Sequence, residues 1–293
     1  MNTLVISGLL ELITNLNSKR EATQTRGTET EFTETIKEVV YEITDFLDNP
    51  KSNCRKLVDV GGFLDCRGCS ATCDKNNREN ESCNRCTEDG NKALCLDSEV
   101  APNPRKCIVL SFGIGNDFSF DDQMMSKLMS TKSGVYKCAA FPHRFGCQVY
   151  SFDFSMTNWT HRSYGPNRHF LSLGLSHSNI KGINFTYEHE GENRAISTSM
   201  LTLNSILDVL DIRDREISYL KMDIENAEWK VLQQVLKTSP SVLDRVLQLS
   251  LEVHLEDLLK LEREPEDTMP KIQRIRHVLK GLQVRYAFCL VLF

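Results

Sequence analysis

The sequence predicts an α/β fold built on a mostly parallel, doubly wound sheet. From residue 107 onward, apolar strand-like runs alternate with helical patterns, which is typical of such sheets. Two runs carry most of the prediction: residues 107–112 lead into a Gly-x-Gly turn, and residues 217–224 bring acids to their end. Because ligands bind beyond the carboxyl ends of strands in open α/β sheets, we expect a binding crevice beside these two runs.

The individual elements follow from helical periodicity on some segments and from short apolar runs on others. The predicted strands are 56–60, 107–112, 147–152, 183–187, 217–224, 246–253 and 284–293. The predicted helices are 31–47, 119–129, 201–210, 227–236 and 269–280. These elements divide the chain into an N-terminal helical segment with a linker, residues 1–53, and one domain, residues 54–293. We expect that domain to contain a Cys-rich excursion at 65–95 and an insertion at 131–146.

The overall composition limits the function classes. A net charge of -5 and a pI near 5.9 give no basic footprint for binding nucleic acid. Hydrophobic residues make up 40% of the chain, enough for a sizeable core, yet no run is long enough to span a bilayer. Residues 1–16 are apolar but lack a basic region and contain Glu11, which favours an amphipathic helix over a signal peptide.

The cysteines indicate the compartment. Eleven are present, and six of them crowd into one polar segment: Cys66, Cys69, Cys73, Cys83, Cys86 and Cys95. Paired Cys-x-x-Cys motifs can bind zinc, but three glycosylation sequons, at Asn80, Asn158 and Asn184, favour an oxidising compartment. We therefore expect disulfides that staple the excursion, no metal site, and a glycoprotein that is secreted or lies in the secretory pathway. A cytoplasmic location is the alternative, since the N-terminus does not resemble a signal peptide.

A glycine turn and a later acid form the first candidate site. Gly113 and Gly115 lack a Cβ atom, so the backbone can turn sharply and approach a ligand closely. Asp153 ends the next predicted strand, where a carboxylate can accept hydrogen bonds from ribose hydroxyls. A plain tight turn and an ordinary strand-end aspartate are the alternatives. A nicotinamide fingerprint is incomplete, because Phe118 replaces its third glycine and Asp153 comes late, which disfavours an oxidoreductase.

Further acids and a histidine follow the later strands. Asp223 and Glu225 lie at the end of the 217–224 strand and are candidate catalytic residues. Glu228 is equally well explained as a charge that stabilises the start of the next helix. Histidine titrates near neutral pH, so His254 is a candidate general base, with an ordinary strand-end histidine as the alternative.

Several segments, in one order along the chain, resemble the motifs of a known family. They are CLD at 95–97, CIVLSFGIGNDFSFD at 107–121, GCQVYSFD at 146–153, KMDIENAEW at 221–229 and LEVHL at 251–255. The family is the group of animal methyltransferase-like proteins around methyltransferase-like protein twenty-four, within the FkbM-like superfamily. The resemblance extends over roughly residues 54–290.

This resemblance implies a Rossmann-like class I methyltransferase fold that uses S-adenosylmethionine. By the same resemblance, Gly113 and Gly115 approach the methionine part of the cofactor and Asp153 holds its ribose. Asp223 would lie beside both the cofactor and the substrate. The implied reaction is O-methylation of a hydroxyl on an unidentified small molecule, glycan or lipid. The family signature also implies that Cys95 pairs with a nearby cysteine, Cys107.

Two residues depart from the family pattern. Phe154 follows the ribose acid in place of a proline, and Asn226 stands where a glycine is usual. Asn226 and the additional Cys-rich segment motivate an alternative function, a catalytically inactive lumenal or secreted binding protein with a methyltransferase-like fold. A nicotinamide-dependent oxidoreductase is the third hypothesis.

Overall fold

The structure is a computed structural model that describes most of the predicted domain. The described residues are 38–39, 41–43, 45–46, 54–66, 86–125, 145–156, 162–163, 167–189, 192–252, 265–285 and 290–292. His254, the sequons at Asn80 and Asn158, and most of the predicted insertion at 131–146 lie outside them. The boundary predicted between residues 53 and 54 stays a prediction.

The described elements alternate between strands and helices along the chain. The strands are β1 Leu57–Val60, β2 Phe63–Cys66, β3 Cys86–Asp89, β4 Lys92–Cys95, β5 Ile108–Phe112, β6 Gln148–Phe152, β7 Arg162–Ser163, β8 Arg168–Leu171, β9 Gly174–Leu175, β10 Ile180–His189, β11 Glu192–Leu201, β12 Tyr219–Met222, β13 Leu249–Leu251 and β14 Leu290–Leu292. The helices are α1 Ser119–Met125, α2 Leu203–Val209, α3 Glu228–Thr238, α4 Pro240–Leu243 and α5 Pro265–Arg285. The described residues between 38 and 46 are also helical, as the apolar spacing predicts.

Seven of the described strands form the central sheet, in the order β14-β13-β12-β5-β6-β8-β7. Neighbouring strands are parallel except for the antiparallel pair of β7 and β8 at one edge. The strands predicted at 107–112 and 217–224 are direct neighbours, with Tyr219 opposite Val109. The predicted Rossmann-like α/β fold is confirmed.

The strand predicted at 183–187 exists, but its predicted place in the central sheet is wrong. Residues 183–187 lie in β10, which forms a separate sheet with β11 and β9. The position beyond β6 is taken by β8 instead. Only Phe170 of β8 is fully buried, so this strand lacks the continuous apolar run by which its neighbours were predicted.

The two faces of the sheet are covered by different elements, as the alternation of side chains along a strand requires. Leu220 and Met222 of β12 pack into a large core with α2, α3 and α5. That core includes Val39 and Ile43 from the helical residues near the N-terminus. Tyr219, on the opposite face, packs with β1, β4 and α1. None of the described helices combines the length and apolar character needed to cross a membrane.

The antiparallel strands β1 and β4 dock on the central sheet through hydrogen bonds as well as apolar contacts. Tyr219 donates its hydroxyl to the carbonyl oxygen of Ala93 at 2.7 Å. The buried amide of Gln248 accepts from the N–H of Cys95 at 2.8 Å and donates to its carbonyl oxygen at 3.0 Å. These contacts fix β4, and with it Lys92, against the central sheet.

Two disulfides join described cysteines and correct the pairing implied by the family resemblance. Cys95 bonds to Cys54, with Cα atoms 5.9 Å apart, and Cys107 bonds to Cys147, with Cα atoms 4.7 Å apart. The expected bond between Cys95 and Cys107 is therefore wrong. Cys107 and Cys147 precede the paired strands β5 and β6, whereas Cys95 ends β4 beside the start of β1. Each cysteine thus has a different partner within disulfide range.

Within the Cys-rich excursion, β2 and β3 form a two-stranded ribbon, and β4 at its end pairs with β1. In this ribbon Cys66 lies directly opposite Cys86. Residues that face each other across an antiparallel pair have Cα atoms about 4.5–5.5 Å apart, which is within the range of a disulfide. Cys69, Cys73 and Cys83 lie outside the described residues. Stapling of the excursion by its cysteines stays a prediction.

Candidate functional site

A cavity of about 610 Å³ opens at the carboxyl ends of β5, β6 and β12. Its walls come from the segments that follow these strands, from residues around β9, and from single residues of β11 and α3. Five predicted site residues line it: Gly113, Gly115, Asp153, Asp223 and Glu225. The cavity lies where the strand arrangement predicts a crevice. The sixth predicted site residue, His254, lies outside the described residues.

The two glycines of the turn after β5 both have a positive φ, 76° at Gly113 and 56° at Gly115. A Cβ atom on Gly113 would lie 1.6 Å from the carbonyl oxygen of Asp223, so the end of β12 excludes a side chain there. A Cβ atom on Gly115 would meet nothing within 4 Å. Because Gly115 also lines the cavity, that open space is accessible to a ligand. Gly113 is therefore required by the packing of the turn against the end of β12. Gly115 has no such constraint and leaves space for a ligand in the cavity.

Asp153 follows β6 and holds the glycine turn in place. One carboxylate oxygen accepts from the backbone N–H groups of Ile114 and Gly115, both at 2.9 Å. The other oxygen accepts from Ser155, from its N–H at 2.8 Å and its hydroxyl at 2.6 Å. A carboxylate offers about four acceptor positions, so a ribose hydroxyl would have to replace one of these donors. The Ser155 hydroxyl is the replaceable donor, because it can rotate away.

Four charged side chains meet beside the cavity, and we call them the charged cluster: Lys92, Lys221, Asp223 and Glu252. Lys92 Nζ lies 2.7 Å from a Glu252 oxygen and 3.8 Å from an Asp223 oxygen. Lys221 Nζ lies 3.9 Å from the same Asp223 oxygen. The two lysine side chains are only 4% and 7% exposed, whereas the Asp223 side chain is 24% exposed. The lysines are therefore shielded from water, and Asp223 reaches the cavity.

The surroundings of Asp223 raise its pKa to about 7, chiefly through burial and then through a hydrogen bond with Glu252. Lys221 and Lys92 lower the same pKa by their charge, but less than burial raises it. Burial also lowers the pKa of Lys221. A carboxyl group that titrates near neutral pH can both accept and release a proton under ordinary conditions.

A second buried polar group lies beneath the glycine turn. Lys221 donates to the carbonyl oxygen of Gly113, which ties β12 to the turn. Asp121 of α1 is fully buried and accepts hydroxyl hydrogen bonds from Ser111 and Ser151. Burial raises the pKa of Asp121 to about 6, partly offset by the bond from Ser151 and by the charge of Lys221. The hydrogen bonds of Asp121 therefore join α1 to the neighbouring strands β5 and β6.

Sequence reasoning missed four members of this arrangement: Lys92, Lys221, Glu252 and Asp121. Lys221 did carry a signal, because a lysine in an otherwise buried strand requires a charged or polar partner. Lys92 carried none, since its partner Glu252 is 160 residues away in sequence. Asp121 lies in the first turn of α1, where an acid usually has a simpler explanation.

The turn after β12 is left-handed at two consecutive residues, Glu225 with φ 53° and Asn226 with φ 68°. Glycine and asparagine adopt this conformation most readily. Asn226 is therefore a mild departure from the glycine of the family pattern. Glu228 begins α3, is buried, and accepts from the N–H of Ile224 at 2.7 Å. It belongs to the start of the helix, as the alternative interpretation expects.

In the described part of the chain, one group of three potential metal ligands is found, and it lies outside the cavity. The group consists of Cys54, Cys95 and Asp97. Its two cysteines are joined in a disulfide, so their sulfur atoms are not thiolates that bind zinc. The zinc alternative for the excursion concerns cysteines that lie mostly outside the described residues.

Comparison with known proteins gives one match. A family model described as a methyltransferase domain matches residues 46–270, which is more than half of the chain. The matched range contains all the residues that line the cavity. No curated protein and no solved structure matches the chain significantly.

Proposed function

The chain belongs to the methyltransferase domain family, and from this membership we propose that it binds S-adenosylmethionine in the cavity and methylates a hydroxyl group. The observation that carries the proposal is the cavity of about 610 Å³ at the carboxyl ends of parallel strands. Its position and size suit a small-molecule cofactor. The open space at Gly115, which a bound group can fill, supports the same conclusion.

The proposed cofactor contacts follow the resemblance to the methyltransferase-like protein twenty-four group. Gly113 sets the turn, and Gly115 makes the close approach to the methionine part. Asp153 binds the ribose by exchanging the hydroxyl of Ser155 for a ribose hydroxyl. Asp223 lies beside both the cofactor and the acceptor. Each of these contacts uses an atom that faces the cavity or can be turned toward it.

The proposed chemistry asks little of the side chains. S-adenosylmethionine, when bound, supplies a methyl group that its sulfonium already activates, so the protein mainly aligns the acceptor. Alignment is worth effective molarities of about 10⁵–10⁸ M. A hydroxyl must also lose its proton, and a positioned base adds roughly 10²–10⁴-fold. Asp223 is the base we propose, because its pKa lies near neutrality; Glu225 and His254 are further candidates.

Isothermal titration calorimetry with S-adenosylhomocysteine tests the proposal, with NAD titrated under the same conditions. We expect S-adenosylhomocysteine to bind at one equivalent and NAD to give no heat. Asp153→Ala should abolish binding, because the glycine turn loses two hydrogen bonds to the carboxylate and the ribose loses its acceptor. Ser155→Ala is the matched control and should bind normally, since it frees an acceptor of Asp153. Unchanged binding in folded Asp153→Ala would contradict the proposed site.

Two alternative functions are separated by further measurements. A catalytically inactive binding protein with this fold predicts no methyl transfer from labelled S-adenosylmethionine to any glycan, lipid or small-molecule hydroxyl. Methyl transfer to any of these removes that alternative. A nicotinamide-dependent oxidoreductase predicts heat with NAD and none with S-adenosylhomocysteine. The FkbM-like resemblance supports a hydroxyl as the acceptor.

We also propose that the chain is a glycoprotein of the secretory pathway. Two disulfides among the described cysteines and an exposed sequon asparagine, Asn184 in β10, support an oxidising compartment. Expression in a secreting cell followed by glycosidase digestion tests this. A mobility shift that is smaller in Asn184→Gln is expected, and equal mobility before and after digestion in the unmodified protein would contradict the proposal.

A further inference from the structure

Lys92 is an unusual member of the charged cluster, because it comes from outside the central sheet. It is the first residue of β4, whose partner is β1. Its side chain is 4% exposed and lies 2.7 Å from Glu252 and 3.8 Å from Asp223. A buried ammonium group is costly unless it is paired with opposite charge. The docking of β4 therefore brings a positive charge to the two acids at one edge of the cavity.

Lys92 contacts Glu252 more closely than Asp223, so the two acids have different roles. Glu252 makes the short contact with Lys92 and is 22% exposed, so its ionised form is strongly favoured. Asp223 lies 3.8–3.9 Å from Lys92 and Lys221, too far for a hydrogen bond to either. A proton taken up by these two acids therefore resides on Asp223, the acid that lines the cavity.

We propose that Lys92 is a positioning residue of the methyl-transfer site, whose charge favours the ionised forms of both Glu252 and Asp223 so that the Asp223 carboxylate can accept the acceptor's proton. This inference rests on the proposed function. In the proposed reaction the acceptor O–H bond would break and an O–CH₃ bond would form, while the methyl–sulfur bond of bound S-adenosylmethionine would break and leave its electron pair on sulfur. The released proton would pass to the Asp223 carboxylate, where ionised Glu252 stabilises it, and then leave to solvent.

Three charged side chains contribute to the pKa of Asp223, and they lie on three different segments. Lys221 lies on its own strand, Glu252 follows β13, and Lys92 begins β4. Removal of a positive charge makes the ionised form of Asp223 less favourable. A charge within about 4–6 Å shifts a pKa by roughly 1–3 units. Loss of Lys92 should therefore raise the pH at which Asp223 titrates, and loss of the Glu252 charge should lower it.

The first measurement follows the Asp223 carboxyl carbon by NMR in isotope-labelled full-length protein, assigned with Asp223→Asn. We expect Lys92→Met to raise the titration midpoint by about one unit or more, Lys92→Arg to keep it, and Glu252→Gln to lower it. Lys106→Met is the matched control, because Lys106 pairs with Glu216 at 3.6 Å on the exposed surface. Thermal melting verifies that each variant is folded. If Lys92→Met does not fold, Lys92→Gln, which keeps a polar group facing Glu252, takes its place and should raise the midpoint likewise.

The second measurement compares the affinities of S-adenosylmethionine and S-adenosylhomocysteine across pH by calorimetry. The sulfonium is attracted by ionised Asp223 and the thioether is not, so the affinity ratio should rise with pH through the Asp223 midpoint. Lys92→Met should displace this rise to the higher pH seen by NMR. An unmoved NMR midpoint, or a moved midpoint with an unmoved ratio, would overturn the role of Lys92. Absence of binding by the unmodified protein would instead refute the proposed function, since the NMR titration needs no cofactor.

Discussion

At the residue scale, Gly113 and Gly115 have the same sequence signal and different physical constraints. Both are left-handed residues of one turn, and sequence reasoning assigned both to a ligand. Gly113 is instead required by the carbonyl oxygen of Asp223, which occupies the place of its missing Cβ. Only Gly115 has open space beside it. A ligand role can therefore be tested at one glycine with the other as the structural comparison.

Alanine substitutions at the two glycines should affect different properties: the one at Gly113 chiefly the stability, and the one at Gly115 chiefly the binding. Gly113→Ala forces the turn and β12 apart and should destabilise the protein by about 3 kcal/mol or more. Gly115→Ala bears only the left-handed strain, about 1 kcal/mol, and should fold. We expect Gly115→Ala to bind S-adenosylhomocysteine at least tenfold more weakly, because its methyl group enters the cavity. Urea unfolding and calorimetry measure both effects. Wild-type affinity in Gly115→Ala would remove this glycine from the cofactor site.

The sequence predicted the residues of the site that follow a strand, and it missed those that meet across the fold. Asp153 and Asp223 were predictable because strand ends define the crevice. Lys92 was not, since its contact with Glu252 depends on how two distant segments dock. Asp153 also has a structural role that the sequence does not reveal, because two of its four hydrogen bonds hold the glycine turn and the other two come from Ser155.

At the scale of elements, the central strands β5 and β12 could be predicted because they are buried on both faces. Every residue of β5 and β12 is buried, so each appears in the sequence as a continuous apolar run. Strand β8 lies next to the sheet edge, and Arg168 and His169 interrupt its pattern. The long hairpin of β10 and β11 pairs mainly with itself, so an apolar segment within it was mistaken for a central strand.

The two disulfides offer a matched test of how β4 serves the site. They close loops of nearly equal length, 41 and 40 residues, so each should stabilise the fold by about 4 kcal/mol through chain entropy. Cys54→Ala/Cys95→Ala and Cys107→Ala/Cys147→Ala should therefore lose similar free energies of unfolding in urea. Only the first pair releases the end of β4, three residues from Lys92. We expect only that variant to raise the titration midpoint of Asp223.

The second pair provides the control because Cys107 and Cys147 precede β5 and β6, at the opposite end of the strands from the cavity. An equal shift of the Asp223 midpoint in both variants would mean that general loosening of the fold moves it. No shift in either would mean that Gln248 and Tyr219 hold β4 without the disulfide. Both outcomes would contradict a specific link between the Cys54–Cys95 bond and the charged cluster.

At the scale of the whole molecule, the helical residues near the N-terminus pack into the core on one face of the sheet. Val39 and Ile43 are buried in the same cluster as the helices on one face of the sheet. Glu42 binds the last long helix, α5, through Arg276 at 2.6 Å and Lys280 at 3.0 Å. The amphipathic spacing predicted the helix, but the surface that it covers is formed by residues more than 200 positions later, which no local pattern reveals.

The ion pairs of Glu42 with α5 should make the free energy of unfolding fall as the pH is lowered. The hydrogen bonds from Arg276 and Lys280 lower the pKa of Glu42 from 4.5 to about 2. A lowered folded-state pKa adds stability above about pH 4.5, and this stability is lost as the pH falls toward 2. Because the Glu42 side chain is 39% exposed, solvent screening limits the effect to about 1 kcal/mol.

Glu42→Gln should therefore be less stable than the unmodified protein by about 1 kcal/mol at pH 7, measured by urea unfolding. The difference should shrink steadily below pH 4.5, because the unmodified protein then loses the same charge by protonation. Glu38→Gln, an exposed change on the same helical stretch, should leave stability nearly unchanged at every pH. Equal losses in both variants, or a Glu42→Gln deficit that persists at low pH, would mean that the ion pairs with α5 do not hold the N-terminal helix on the domain. A deficit that disappears with acid would instead make the helical residues near 42 an integral part of the folded methyltransferase domain.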